Sequence, residues 1–184
     1  MGHQNPKAKG AGFERSVCQR LSLWVSGMAR EDVFWRSAMS GGRATVRRNL
    51  NRGPQHTAHA GDITATHALG HLLLDHFLIE CKFYKDLQLA LIVFGSAGTL
   101  ERIWHTPVKQ AKENARLPMV VAKQNMKDEL VFLTREGRTW LRPGFKNTDA
   151  LPVQAVFPKH GIYISFLRDM LANVDFAKIR KAQP

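Results

Sequence analysis

Two acids and one amine are spaced along this chain as phosphodiester chemistry needs them. Asp62 opens a short apolar stretch in Gly61-Asp62-Ile63, and a second acid returns in Phe77-Leu78-Ile79-Glu80-Cys81-Lys82-Phe83, just ahead of a lysine. Side chains on a strand alternate between faces, so Glu80 and Lys82 point one way while Ile79, Cys81 and Phe83 point the other. One face is core and the other is chemistry. A carboxylate is a hard oxygen ligand that suits Mg²⁺, which takes one or two protein carboxylates together with water and phosphate oxygens. Asp62 and Glu80 are the candidate metal pair, with help from the backbone carbonyl of Cys81. Lys82 would stabilise the pentavalent phosphorane or, if its surroundings lower its pKa, help deprotonate the attacking water. The bland alternative is that Glu80 and Lys82 form a strand-face salt bridge, which adds little stability when exposed.

The elements that must position these groups follow from periodicity and punctuation. Phe13, Val17, Leu21 and Trp24 recur at helical spacing, predicting a helix from residue 12 to a stop at Gly27. Glu14 falls in its first turn, where an acid suits the positive end of the helix dipole, so composition reads it as a solvated helix-start acid. Residues 32–36 read as a strand leading into a Gly- and Arg-rich loop over 37–52. Glycines let backbone approach phosphate and arginines pair with it in two-pronged fashion, so Arg36, Ser40, Arg43, Arg47 and Arg48 are candidate DNA contacts. Lys85 and Lys109 extend that basic set. A flexible basic surface loop is the alternative.

Histidines gather between the two motif halves, and the pairs His56/His59 and His67/His71 have spacings that metal ligands can use. Without a cysteine pair beside them, surface histidines are the preferred reading. Residues 64–74 read as a widened turn or an extra hairpin, and residues 87–95 as an apolar helix or strand. Residues 99–117 predict an amphipathic helix that Pro107 kinks or divides. Strands are expected at 119–123, 129–134 and 161–166, a short helix at 167–174, and a fraying basic tail over 178–184.

Taken together, Gly12-Phe13-Glu14-Arg15, Ser40-Gly41, Gly61-Asp62-Ile63 and Ile79-Glu80-Cys81-Lys82 resemble the PD-(D/E)XK nuclease superfamily, and within it the archaeal-type Holliday junction resolvases. The resemblance covers the first two thirds of the chain. It implies an α/β fold with a restriction-endonuclease-like core, a central mixed β-sheet flanked by helices, and here a C-terminal α/β extension. The nuclease core would then be 12–135 with the extension (136–184) packed on the same domain, and residues 1–11, which hold almost nothing to bury, read as a flexible basic arm. The resemblance also raises Glu14 to an active-site acid and turns Gln110 towards the site, where composition alone would leave Gln110 in solvent. Hydrolysis with Mg²⁺, for which Mn²⁺ would substitute, branched or junction DNA as substrate, and a symmetric homodimer are what it implies for function. Other DNA-processing or restriction-like nucleases are the near alternative, and a non-catalytic nucleic-acid-binding protein the distant one.

Composition agrees without choosing among these. The 184 residues suit one domain with a substantial core. Lys and Arg outnumber Asp and Glu 27 to 15, a formal charge of +12 that suits a phosphate-bearing partner. Cys18 and Cys81 lie far apart with no signal-peptide pattern, so a reducing setting without disulfides is expected, each thiol packing as a small hydrophobe. The apolar runs fall well short of the ~20 residues of a membrane span, and no organic cofactor motif is present. The expected location is the cytoplasm, associated with the nucleoid, or the host cell of a virus that encodes the protein.

Overall fold

The apolar stripe of the first helix is the foundation of one face of the fold. The computed structural model describes residues 6–37, 61–87, 97–147, 151–157 and 160–183. Helix α1 (Pro6–Val25) starts earlier than residue 12, so part of the expected arm is helical. Pro6 accounts for the early start, because proline suits the first helical position and needs no N–H partner there. The helix stops at Gly27 in the left-handed region (φ 63°), with Met28 N–H donating to Leu23 O at 2.7 Å and Gly27 N–H to Trp24 O at 3.3 Å. That pair of bonds satisfies carbonyls that a helix end leaves open.

Strand β1 (Phe34–Arg36) pairs antiparallel with β2 (Ile63–Ala65) in a small two-stranded sheet. Ser22 on α1 ties it down, its buried hydroxyl donating to Cys18 O at 2.8 Å and accepting the Phe34 N–H at 2.9 Å. After β2 comes a single tight turn (Ala68–Gly70) and then helix α2 (His71–His76), where the sequence had suggested a widened turn or hairpin. The leucines explain the correction. Leu73 and Leu74 are buried and Leu69 and Leu72 pack against the same core, a helical pattern rather than a strand alternation.

The main sheet has the order β3-β4-β5-β7-β6. Strand β3 (Phe77–Tyr84) runs parallel to β4 (Leu117–Gln124), the crossover being helix α3 (Ala97–Glu113), which continues through Pro107. Strands β5 (Leu130–Thr134), β6 (Ala155–Phe157) and β7 (Ile162–Phe166) complete the sheet in antiparallel pairings, which makes it mixed. Helix α4 (Arg135–Leu141) follows β5, its first turn capped by Thr134, whose hydroxyl accepts the Gly137 N–H. Helices α5 (Leu167–Asn173) and α6 (Phe176–Ala182) follow β7. This is the α/β architecture of a mixed sheet flanked by helices that the sequence implied.

The two faces of the sheet carry separate cores. On one, Val17, Leu21 and Trp24 of α1 meet Ile79 and Cys81 of β3, Val121 of β4 and Phe176 and Ile179 of α6. On the other, Ile103 and Trp104 of α3 meet Val120, Ala122, Phe132 and Ile164. The tail expected to fray is therefore a packed helix. Asp175 caps it by accepting the Ala177 N–H at 2.9 Å, and Trp24 Nε1 donates to Val174 O at 2.6 Å just before it. Among the described residues no helix is long and apolar enough to cross a membrane.

Ile179 is fully buried, so Ile179→Ala should lower the unfolding free energy by ~2–4 kcal/mol in urea titrations. A wild-type midpoint would mean that α6 contributes nothing to the core.

Candidate active site

Strand β3 ends the main sheet, and Asp62 meets its outer edge. The Asp62 N–H donates to Ile79 O at 2.9 Å, and Asp62 Oδ2 accepts the Cys81 N–H at 2.8 Å. From the other side, the Ser37 N–H donates to Asp62 O at 2.7 Å, continuing the β1–β2 ladder. Backbone and side chain are thus both fixed. Gly61 makes the approach possible. Its φ is +91°, and a Cβ there would lie 2.8 Å from Ile79 O, closer than side-chain carbons come.

This strap puts the Asp62 carboxylate beside that of Glu80, each residue only 8% exposed. Burial is the largest influence on Asp62, the negative charge of Glu80 the next, and together they push its pKa from 3.8 up to about 7 despite the Cys81 N–H. Lys82 Nζ lies 3.3 Å from Glu80 Oε1. Burial works against the charge on Lys82, but Glu80 and Asp62 outweigh it and hold the ammonium above its ordinary value. Of the two protonation roles open to Lys82, the structure therefore supplies the cation. Elsewhere a half-buried acid is fully compensated. Glu129 receives Lys123 at 2.7 Å and Arg20 at 3.0 Å, which outweigh its burial and lower its pKa.

At the Asp62–Glu80 pair that compensation is incomplete, since Glu80 Oε2 is buried with no hydrogen-bond partner. Two crowded carboxylates with an orphaned oxygen are a donor set that a divalent cation fits. Strand alternation sends the Cys81 carbonyl to the same outer edge as its N–H, which makes it a third oxygen donor near the pair. Among the described residues no group of three or more His, Cys, Asp or Glu side chains could hold a metal. Glu14 Oε2 accepts from Arg36 Nε at 2.9 Å between α1 and β1.

Lys85 is exposed just beyond β3 and Lys109 is exposed on α3. Gln110 is half-buried on α3, its Oε1 buried and without a partner. Ser40, Arg43, Arg47 and Arg48, like His56 and His59, lie outside the described residues. His67 and His76 are bound to backbone, His67 Nδ1 accepting the Leu69 N–H at 3.2 Å and His76 Nδ1 lying 2.9 Å from Leu72 O. Both cysteines are free and buried. Burial and, for Cys18, Glu14 push that thiol up to about 12, and burial and Asp62 raise Cys81 well above its usual range. One neighbour of the site carries no motif. Trp35 is 56% exposed, and only the alternation in Phe34-Trp35-Arg36 could have pointed to it.

Residues 5–151 match the family described as "Phage putative PDDEXK endonuclease". No curated protein and no solved structure matches the chain.

Two outcomes follow for the metal-free protein. Asp62 binds its proton more tightly folded (about 7) than unfolded (3.8), so stability is highest below pH 4 as far as this group is concerned. It falls as pH rises towards 7 and stays reduced above it. Asp62→Asn keeps an acceptor for the Cys81 N–H and removes the repulsion, so at pH 8 without metal it should melt several degrees higher than wild type. A lower melting temperature would contradict the electrostatic account. Gly61→Ala, by contrast, should destabilise by ~1–3 kcal/mol in urea titrations, through its positive φ and the contact with Ile79 O.

Proposed function

The chain belongs to the phage PDDEXK endonuclease family, and from that premise we propose that it is a Mg²⁺-dependent endonuclease that hydrolyses branched DNA. The observation that carries the reading is the buried Asp62–Glu80 pair at the edge of β3, crowded, incompletely compensated and next to a charged lysine. Asp62 and Glu80, with the Cys81 carbonyl, would hold the cation, and Mn²⁺ would serve in its place. When bound, the ion supplies a lowered water pKa and charge neutralisation at the scissile phosphate. The residues of the chain do the rest. The strap from Asp62 to β3 keeps both carboxylates in fixed positions, so little reorganisation is needed when substrate arrives. Lys82, kept charged by the acids, offers its ammonium to the phosphoryl oxygens as negative charge develops on them.

Branched DNA is favoured by the resemblance of the motif segments to junction resolvases. Two opposed strands must then be cut, which calls for a twofold-symmetric dimer. The leucines of 69–74 are committed to the core of the monomer, so the dimer surface belongs elsewhere. Edge strand β6, with Val156 46% exposed, is the surface proposed.

The purified protein should cut a four-way junction faster than a fork or a linear duplex in Mg²⁺, and cut nothing in EDTA. Asp62→Asn and Glu80→Gln should each lower cleavage by orders of magnitude while DNA binding persists, and Ca²⁺ should support binding with little cutting. Full activity in EDTA overturns the metal-dependent reading. Equal rates on junction and duplex remove the branched-DNA part and leave an endonuclease of another specificity.

A further inference from the structure

Most large apolar side chains are spent on the two cores, and Trp35 is an exception beside the candidate site. Strand β1 alternates Phe34 buried, Trp35 exposed and Arg36 half-buried. Phe34 and Arg36 face α1, where Arg36 reaches Glu14. Trp35 points the other way. Its cross-strand partner is Thr64, and the ladder continues to Asp62 through the Ser37 N–H. By strand alternation Thr64 lies on the face opposite Ile63, which joins the core with α1, while Asp62 sits one position before β2, its N–H turned to Ile79 O and its C=O to the Ser37 N–H. Trp35 therefore lies two residues along β1 from Ser37, whose N–H holds the Asp62 backbone. Glu80 and Lys82 also lie on the side of β3 turned away from α1, since Ile79 and Cys81 fill the α1 side.

We propose that Trp35 is a stacking platform for a nucleobase next to the scissile phosphate, so that the site takes DNA whose bases are unstacked at the cleavage point. The inference rests on the nuclease reading above and narrows its substrate. An indole face suits any base and is sequence-tolerant. Its place on β1, two residues from the Ser37 that holds Asp62, in a chain of formal charge +12, puts the ring near where a strand whose phosphate entered the site would pass. A base inside a continuous duplex is already stacked on both faces. A base at a branch or in a single strand has a face to offer, so Trp35 discriminates between these substrates without reading sequence.

Fluorescence makes the test direct. The chain has four tryptophans. Trp24 and Trp104 are each 8% exposed, and Trp140 is packed against His76, Phe77 and Phe176, so quencher-accessible emission should come mainly from Trp35. Glu80→Gln protein is mixed with a four-way junction and with a linear duplex of the same sequence, and acrylamide quenching is measured. Protection of the accessible emission by the junction, and much less by the duplex, is expected. In the same background Trp35→Ala should bind the junction roughly tenfold more weakly with duplex affinity unchanged, and Trp35→Phe should restore most of the loss. Unprotected emission in a saturated junction complex, or equal weakening on both DNAs, overturns the proposal. So does a sedimentation coefficient that falls in Trp35→Ala without DNA, which would make Trp35 a contact between copies of the chain. Cleavage by the wild type decides the underlying reading separately: a nuclease whose Trp35 stays unprotected loses only this inference.

Discussion

The site depends on one strap, the pair of hydrogen bonds that fixes Asp62 to the edge of β3. A strand at the end of a sheet has unpaired N–H and C=O groups, and these seek partners. Here Ile79 O and the Cys81 N–H find theirs in one residue, so the bonds that finish the sheet also position a carboxylate against Glu80. The local sequence obliges. Gly61 supplies the backbone conformation and the room, and Ile63 anchors the other side of Asp62 in the core. The small β1–β2 sheet then holds the strap from behind through the Ser37 N–H. Stability and chemistry pull in opposite directions at this point. The same bonds that order the edge force two acids together out of water, and the raised pKa of Asp62 records that conflict.

Much of this was readable before any coordinates. The strands β3, β4, β5 and β7 carry long apolar or alternating runs, and α1 and α3 carry a helical stripe, so strong periodicity made them plain. The shared face of Glu80 and Lys82 followed from alternation in β3, and Asp62 was joined to them by residue type and by the resemblance of the motif segments. What escaped was short or contextual. Helix α2 has six residues and α6 seven, too few for a period to show, and burial of Leu73 or Ile179 depends on partners far away in sequence. Propensity is a weak prior at such lengths, and tertiary packing overrides it. The pairing of Glu14 with Arg36 was hidden for the same reason, since each residue reads locally as an independent charge.

Electrostatics set Glu129 apart from the Asp62–Glu80 pair. At Glu129, Lys123 and Arg20 outweigh the partial burial of the carboxylate. Asp62 and Glu80 share a single nearby ammonium and leave one oxygen buried and unpaired. A carboxylate that served the fold alone would be expected to look like Glu129. This contrast, more than the acid-x-lysine pattern, separates a candidate active site from an ordinary strand-face salt bridge.

The bond from Trp24 to the Val174 carbonyl bears on the order in which the protein is made. Translation delivers α1 first and residues 174–179 much later, yet Phe176 and Ile179 belong to the core that α1 shares with β3. While a ribosome is still extending the chain, that side of α1 has no cover, and β3 rests on a half-built support. A nascent chain therefore passes through a stage in which the acids have been synthesised but the layer beneath them is open.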